Sequence, residues 1–143
     1  MFGSDHLDVA KTRENMAIIY ENQGHYDQAL EICKSVLETK IRVCGHEHPD
    51  VAASYNNIAN IYHDRGKYEE ALEMYTKSLD IKTRIYGGDN HPLVADCLTN
   101  IGVVYGKKGN RATATEMYTK AYHIYLKMLG PDHPSTQQLK PFE

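Results

Sequence analysis

Apolar side chains in the middle of the chain recur with the period of an α-helix. Between Pro49 and Arg65 they return every three or four positions, which predicts a helix with one buried face. That face comprises Tyr55, Ile58, Ala59, Ile61 and Tyr62. Gly66 interrupts the pattern, and a second helix follows at Tyr68. Its buried face comprises Ala71, Leu72, Tyr75, Leu79 and Ile81. We predict a pair of helices joined by a tight turn, and the second helix ends at Gly87-Gly88, because glycine readily adopts the left-handed conformation that closes helices.

This two-helix block is repeated along the chain. It opens with His48-Pro49-Asp50-Val51-Ala52, and related segments start at His6, His91 and His133, in steps of 42, 43 and 42 residues. The extra residue of the longer step lies in the loop from Gly87 to His91, where an insertion leaves the helices in phase. A fixed period of this length is typical of a solenoid, in which each unit buries its apolar face by stacking on its neighbours.

We therefore expect one domain over residues 1–143. Its repeats span approximately residues 6–47, 48–90 and 91–132, and residues 133–143 begin a fourth repeat or form a short cap. Pro141 would break a helix in this last segment after one or two turns. That ending is compatible with a cap and with an excised piece of a longer array.

The period does not by itself choose among helical repeats, because HEAT-type repeats also run ~40 to 47 residues. The spacing of small and large residues is more specific. In the second unit, Tyr55-x-x-Ile58-Ala59-x-x-Tyr62 is followed by Ala71-x-x-x-Tyr75, which is the signature of a tetratricopeptide repeat. The third unit matches with Leu98-x-x-Ile101-Gly102-x-x-Tyr105 and Ala114-x-x-x-Tyr118. The first unit matches least well, because Arg13 stands at its large apolar position.

Longer stretches of sequence support a closer resemblance. Tyr55-Asn56-Asn57-Ile58-Ala59-Asn60-Ile61-Tyr62, Gly66-Lys67-Tyr68-Glu69-Glu70-Ala71-Leu72 and Leu129-Gly130-Pro131-Asp132-His133-Pro134 resemble the 42-residue tetratricopeptide repeats and linkers of kinesin light chains. Similar repeats occur in nephrocystin-3-like proteins and in sensor arrays of signalling ATPases. The resemblance implies an all-α fold, a right-handed α-solenoid of three helix-turn-helix repeats plus a short C-terminal segment. It also implies that the first helices line a concave groove that holds extended peptide segments.

Helical geometry selects side chains for that groove, since residues spaced by three, four and seven share a face. Our candidate partner-binding residues are Lys11, Asn15, Asn22, Asn56, Asn57, Asn60, Asp64, Asp96, Asn100 and Lys107. The resemblance implies that Asn15, Asn57 and Asn100 hydrogen-bond the main chain of a bound peptide, a role suited to an amide that both donates and accepts. Asparagines on a helix surface are also often simply solvated, so this role is an expectation.

The charge of the chain limits which classes of partner we expect. The chain carries a formal net charge of −3 with acids and bases interspersed, which gives no electrostatic basis for binding nucleic acid or an anionic membrane. The candidate face is slightly acidic, because Lys11 and Lys107 stand against Glu14, Glu21, Asp64 and Asp96. We therefore expect a protein or peptide partner that is neutral or mildly basic.

This expectation differs from what the resemblance implies, which is a basic groove that binds acidic cargo peptides. Ala53 and Asp96 occupy positions where a lysine would favour such cargo. The sequence also does not fit binding of a chaperone's C-terminal tail. Five positions align with the residues that hold such a tail in other tetratricopeptide repeats, and Asn57 is the one that matches among Glu14, Ile18, Asn57, Asp96 and Asn100.

The sequence offers little for catalysis, metal ions or cofactors. Cys33, Cys44 and Cys97 are odd in number and form no Cys-x-x-Cys pair, so we expect reduced thiols in a cytoplasmic protein. His46-x-His48, together with His91 and His133, suggests a metal site, but the repeat-related histidines lie one unit apart along a solenoid and cannot converge on one ion. We expect no metal site, no cofactor and no enzymatic activity. No apolar stretch approaches the ~20 residues that a membrane-spanning helix needs.

The sequence thus predicts a non-catalytic protein-interaction scaffold that binds a linear peptide segment in its groove. The alternative is a structural or self-associating repeat segment of a larger multidomain protein. A homodimer through exposed repeat ends is a further hypothesis, for which Tyr125, Leu126 and Leu129 are the candidate contact residues.

Overall fold

The computed structural model describes residues 2–88 and 91–140, with side chains from Asp8 onward. Every regular element in these ranges is an α-helix. They are α1 (Phe2–Asn22), α2 (Tyr26–Cys44), α3 (Pro49–Asp64), α4 (Tyr68–Tyr86), α5 (Pro92–Lys107), α6 (Arg111–Leu129) and α7 (Pro134–Leu139). The predicted all-α class is confirmed, and so are the predicted helix starts at Pro49 and Tyr68. Pro141, the expected helix breaker, lies outside the described residues.

A histidine and a proline start three of these helices. His48, His91 and His133 are the N-caps of α3, α5 and α7, and a proline follows each of them. The Nδ1 atom of each histidine accepts the backbone N–H two residues later, at 3.0, 3.1 and 3.1 Å. The proline loses no hydrogen bond at this position, because the first N–H groups of a helix have no partner within it. The recurring His-Pro of the sequence is therefore a helix-start device.

The chain divides into two compact units, one up to Ile81 and one from Lys82. In the first unit α1 packs against α2 and α2 against α3; in the second unit α5 packs against α6 and α6 against α7. The small residues that the repeat pattern places at helix contacts are all buried: Ala17, Ala29, Ala59, Ala71, Gly102 and Ala114. Their size lets the paired helices approach closely, and larger side chains fill the neighbouring space.

The core of the first unit includes Ala17, Ala29, Cys33, Ile58 and Ile61, with Tyr20, Tyr26 and Tyr62 among the side chains packed against it. Polar side chains that are buried or nearly so also join its helices. The Nζ atom of Lys40 lies 2.8 Å from Oε1 of Glu14, and Oγ of Ser78 donates to the carbonyl oxygen of Ala52 at 2.9 Å. Lys40 is 4% exposed, so α1 and α2 are joined by an ion pair largely shielded from water.

The second unit corrects one expectation. The sequence predicts Tyr125 at an exposed end of the repeats, but Tyr125 is 5% exposed, and its hydroxyl donates a hydrogen bond to Oδ1 of Asp96. Burial and this hydrogen bond both raise the pKa of the Tyr125 phenol above its ordinary value. Tyr125 therefore joins α6 to α5 inside the second unit and is not available at a terminal contact face. Leu126 and Leu129 are half-buried.

Gly102 on α5 packs closely against Tyr118 on α6, which gives a prediction about stability. A Cβ atom added at Gly102 would lie 2.7 Å from Cε1 of Tyr118, whereas one added at Gly106 in the same helix would meet nothing within 4 Å. Gly106→Ala should raise stability by about 0.5–1 kcal/mol through helix propensity. Gly102→Ala should lower it by about 1–2 kcal/mol, because the cost of overpacking exceeds that gain.

Urea unfolding of the two single variants, followed by circular dichroism, checks this pair. Gly106→Ala is the matched control, since it makes the same chemical change one turn along the same helix. Equal stability of the two variants would contradict a close contact between Gly102 and Tyr118.

Candidate functional site

One concavity of the first unit lies where α1, α2 and α3 meet. It encloses about 450 Å³, including its solvent-open mouth. Its lining residues are Glu14, Ala17, Ile18, Glu21, Cys33, Asn57, Asn60 and Ile61. We call this hollow the α1–α3 pocket. It combines an apolar floor with two amides and two carboxyl groups.

Helix periodicity explains why these side chains meet. On α1, Glu14, Ala17, Ile18 and Glu21 are spaced by three, one and three residues, so they share one face. Asn57, Asn60 and Ile61 form the matching face of α3. Cys33 of α2 closes the base between them. The pocket is therefore the space between two first helices of successive repeats, with the intervening second helix beneath it.

The two carboxyl groups of the pocket differ in environment. Oε1 of Glu14 accepts hydrogen bonds from Nζ of Lys40 at 2.8 Å and from Oγ of Ser54 at 3.1 Å. Its charge is thus balanced from within the fold. Glu21 instead lies beside Asp64, another carboxyl group. Burial, a hydrogen bond with Asp64 and the negative charge of Asp64 together raise the pKa of Glu21 to about 7.

His63 lies next to Asp64 at the end of α3. Nδ1 of His63 lies 3.5 Å from Oδ1 of Asp64, and the His63 ring is tilted against Tyr68 at 5.8 Å between centroids. Nε2 of His63 is buried without a hydrogen-bond partner among the described residues. The end of α3 therefore places a histidine beside the acidic pair of Glu21 and Asp64.

The pocket thiol is not a ready nucleophile. Burial, followed by the negative charges of Glu14 and Glu21, raises the pKa of Cys33 to about 11, although Lys40 acts in the opposite direction. The nucleophilic form of cysteine is the thiolate, which is scarce at neutral pH when the pKa is this high. Cys33 accordingly serves as an apolar filler at the base of the pocket.

The structure places the predicted site residues in several positions. Asn57 and Asn60 both line the α1–α3 pocket. Oδ1 of Asn60 accepts a hydrogen bond from the Tyr75 hydroxyl, so its amide nitrogen is the group left to face a ligand. On α1, Lys11, Asn15 and Asn22 are exposed, and none of them lines the pocket. Asn56 is half-buried on α3, and Asp64 is exposed at the end of that helix.

The second-unit candidates lie along α5. Asp96 is exposed at the surface and accepts the bond from Tyr125, Asn100 is half-buried, and Lys107 is exposed at the last residue of the helix. Asp96 is therefore partly engaged inside the fold, whereas Lys107 projects into solvent.

Sequence reasoning missed several pocket residues. Glu14 and Glu21 were recognised as charges near the face, and Ile18 as part of its stripe, but neither their enclosure nor their different surroundings was foreseen. The spacing along α1 carries a signal for this set, because Glu14, Ile18 and Glu21 follow one another by four and three residues. No comparable signal points to Cys33, which belongs to a second helix.

Comparisons with known proteins define the class. A family model described as a tetratricopeptide repeat matches residues 8–84, and a second model with the same description matches residues 94–135. The first match covers more than half of the chain, so this chain belongs to the tetratricopeptide repeat family. No curated protein matches the chain significantly.

Solved structures are similar over nearly the whole chain. The crystal structure of BtubC (BKLC) from P. vanneervenii is 26% identical with a TM-score of 0.80, over 91% of this chain and 52% of BtubC. A Podosopora anserina protein described as a kinesin light chain with nearly identical TPR-like repeats is 22% identical with a TM-score of 0.78, over 93% of this chain and 63% of that one. The N-terminal domain of stress-induced protein-1 from C. elegans is 16% identical with a TM-score of 0.66, over 94% of both chains.

These comparisons confirm the resemblance to kinesin light chain-like repeats that the sequence suggested. The chain spans 52% and 63% of the first two structures, so it matches part of their length. Among the helices described here, none is long and apolar enough to cross a membrane.

The raised pKa of Glu21 predicts how stability depends on pH. Its ordinary pKa is 4.5, and in the folded chain it is about 7. Between these values the folded chain holds more protons than the unfolded chain, so the free energy of unfolding should fall as pH rises through this window. Glu21→Gln retains a hydrogen-bonding partner for Asp64 but cannot ionise, so its stability should fall less over the same range.

Urea unfolding at about pH 5 and about pH 8 measures this difference. Glu31→Gln is the matched control, because Glu31 is an exposed glutamate on α2. If wild type and Glu21→Gln lose the same stability between the two pH values, Glu21 does not titrate near neutral pH.

Proposed function

We propose that this chain is a non-catalytic interaction scaffold that binds a linear, neutral or mildly basic peptide segment of a partner protein. Tetratricopeptide repeat proteins bind protein partners, which supports the class of function. The observation that carries the proposal is the composition of the α1–α3 pocket. A peptide with a basic side chain needs three kinds of group, and the pocket offers each of them. They are amides, an apolar floor, and the Glu21 carboxyl group, which has no basic partner among its described contacts.

Each part of the pocket has a role in the proposal. Asn57 and the free amide nitrogen of Asn60 hydrogen-bond the peptide main chain, because an amide presents donors and an acceptor in one side chain. Ala17, Ile18 and Ile61 contact an apolar peptide side chain. Glu21 with Asp64 attracts a lysine or arginine, since their like charges are close together and a cation would relieve the repulsion.

The remaining candidate residues are proposed contacts within each unit taken by itself. Lys11, Asn15 and Asn22 on α1, and Asn56 and Asp64 on α3, would contact peptide beyond the pocket. Asp96, Asn100 and Lys107 are proposed contacts on α5. We further propose that the protein acts in the cytoplasm, in line with its three free cysteines.

A peptide titration tests the role of the amides. Asn57→Ala should weaken binding of a neutral or basic peptide roughly 2- to 10-fold, the equivalent of one hydrogen bond of about 0.5–1.5 kcal/mol. Asn57 is preferred to Asn60 because replacing Asn60 would leave the Tyr75 hydroxyl without its acceptor. Gln28→Ala, an exposed amide on α2, is the matched control. Fluorescence anisotropy with labelled peptides gives the affinities, and unchanged affinity in Asn57→Ala would move the site elsewhere.

The same assay tests the charge preference. Of two peptides that differ at one position, the lysine form should bind more tightly than the glutamate form, and salt should reduce the difference. The preference should also weaken as pH falls below about 7, because Glu21 then takes up a proton. Tighter binding of the glutamate form would contradict the proposed polarity of the pocket.

One observation favours the alternative, a structural or self-associating segment. Val9, Met16 and Ile19 lie on one face of α1 and are 59%, 45% and 55% exposed. If this face mediates association, sedimentation should show dimers that Met16→Lys dissociates, while peptide binding in the pocket is absent. A monomer that binds peptide would exclude this alternative in favour of the scaffold.

A further inference from the structure

The turn between α2 and α3 brings together three side chains that ligate metals. Cys44 is the last residue of α2, His48 is the N-cap of α3, and Asp50 lies in the first turn of α3. Each residue offers one donor atom, and these three atoms all lie within 4.8 Å of one another. They are a sulfur, an imidazole nitrogen and a carboxylate oxygen. All three residues are half-buried, so an ion from solvent can reach them.

At the equivalent described positions of the two later turns, the side chains that replace Cys44 and Asp50 are of other types. The equivalent positions at the start of α5 are Tyr86, His91 and Leu93, and those at the start of α7 are Leu129, His133 and Ser135. In the α5 case the rings of Tyr86 and His91 are stacked at 4.1 Å between centroids. The repeat geometry thus places the last residue of a second helix against the next histidine cap. In the first turn that residue is a cysteine, and an aspartate replaces the leucine.

We propose that Cys44, His48 and Asp50 form a binding site for a divalent transition-metal ion of the zinc class. Thiolate, imidazole and carboxylate are all zinc ligands, and three protein ligands leave a fourth position for water. The thiolate and the carboxylate together balance the charge of a divalent ion, so little net positive charge meets the N-terminus of α3. This proposal is independent of the α1–α3 pocket.

The distances allow such a site with small movements. In tetrahedral zinc sites the donor atoms lie roughly 3.3 to 3.6 Å apart, given metal–ligand lengths of about 2.0 to 2.3 Å. The donors here need to close by about 1 Å, which rotation of partly exposed side chains can supply. Histidines one repeat apart cannot reach the same ion. This cluster does not need them to, because His48 is joined by a cysteine and an aspartate from the same turn.

Metal binding should alter the cap of α3. Nδ1 of His48 accepts a hydrogen bond from the backbone N–H of Asp50 at 3.0 Å. In a neutral imidazole one nitrogen carries the proton, so the other nitrogen alone can accept a hydrogen bond or bind a metal ion. Coordination through either nitrogen therefore requires that hydrogen bond to be released. The thiol of Cys44 loses its proton to solvent when it coordinates, whereas His48 binds as neutral imidazole and Asp50 as carboxylate.

Titration of the reduced full chain with Co²⁺ tests the site, because cobalt reports its ligands by absorption. We expect one Co²⁺ per chain, a near-ultraviolet sulfur-to-cobalt charge-transfer band, and displacement by Zn²⁺. Cys44→Ser should abolish the band and weaken Zn²⁺ binding by at least about tenfold, and Asp50→Asn should weaken Zn²⁺ binding with the band retained. Cys97→Ser is the matched thiol control, because Cys97 is buried in α5, and it should leave the band unchanged.

Two outcomes would overturn the proposal. One is a charge-transfer band that persists in Cys44→Ser, and the other is the absence of stoichiometric Zn²⁺ binding in competition with a chromophoric chelator. Should Cys44→Ser fail to fold by circular dichroism, alkylation of the wild-type chain decides. Zn²⁺ should then slow modification of Cys44, located by mass spectrometry, and equal rates with and without Zn²⁺ would reject the site.

Discussion

The structure depends on close contact between paired helices at positions that hold alanine or glycine. Ala17 and Ala29 are 2% and 0% exposed in the first unit, and Gly102 lies directly against the Tyr118 ring in the second. A larger side chain at these positions would push the helices apart and remove the dispersion contacts of the residues around them. Each repeat accordingly alternates small residues with tyrosine, isoleucine and leucine. The packing of the helical cores follows from this spacing.

Polar bonds within the first unit then fix where charge is available. Lys40 and Ser54 come from α2 and α3, and both bind Glu14 of α1, so this carboxylate is satisfied inside the fold. Glu21, two turns further along α1, meets Asp64 instead. Two glutamates on one helix face thus differ in environment, one paired within the fold and one beside a second carboxyl group. The proposed preference of the α1–α3 pocket for a basic partner rests on that contrast.

Much of the fold could be predicted from the sequence. The helix pairs, their boundaries near Pro49, Tyr68 and Gly87, and the histidine starts follow from local rules, because capping and periodicity act over a few residues. The candidate site was predicted less completely. Asn57 and Asn60 do share a pocket, but Cys33 lies on another helix and could not be selected by the spacing along α3. Tyr125 was misplaced because nothing local indicates that its hydroxyl bonds to Asp96, 29 residues away.

By itself, the sequence determined the secondary structure, the repeat and the family, since each depends on patterns that recur within about 42 residues. The tertiary structure alone decided which carboxyl groups are paired, which asparagines meet, and that Cys44 lies beside His48 and Asp50. These outcomes depend on which side chains from separate helices and turns come within a few ångströms, and on how far water is excluded between them. Such distances and burial arise when the helices pack.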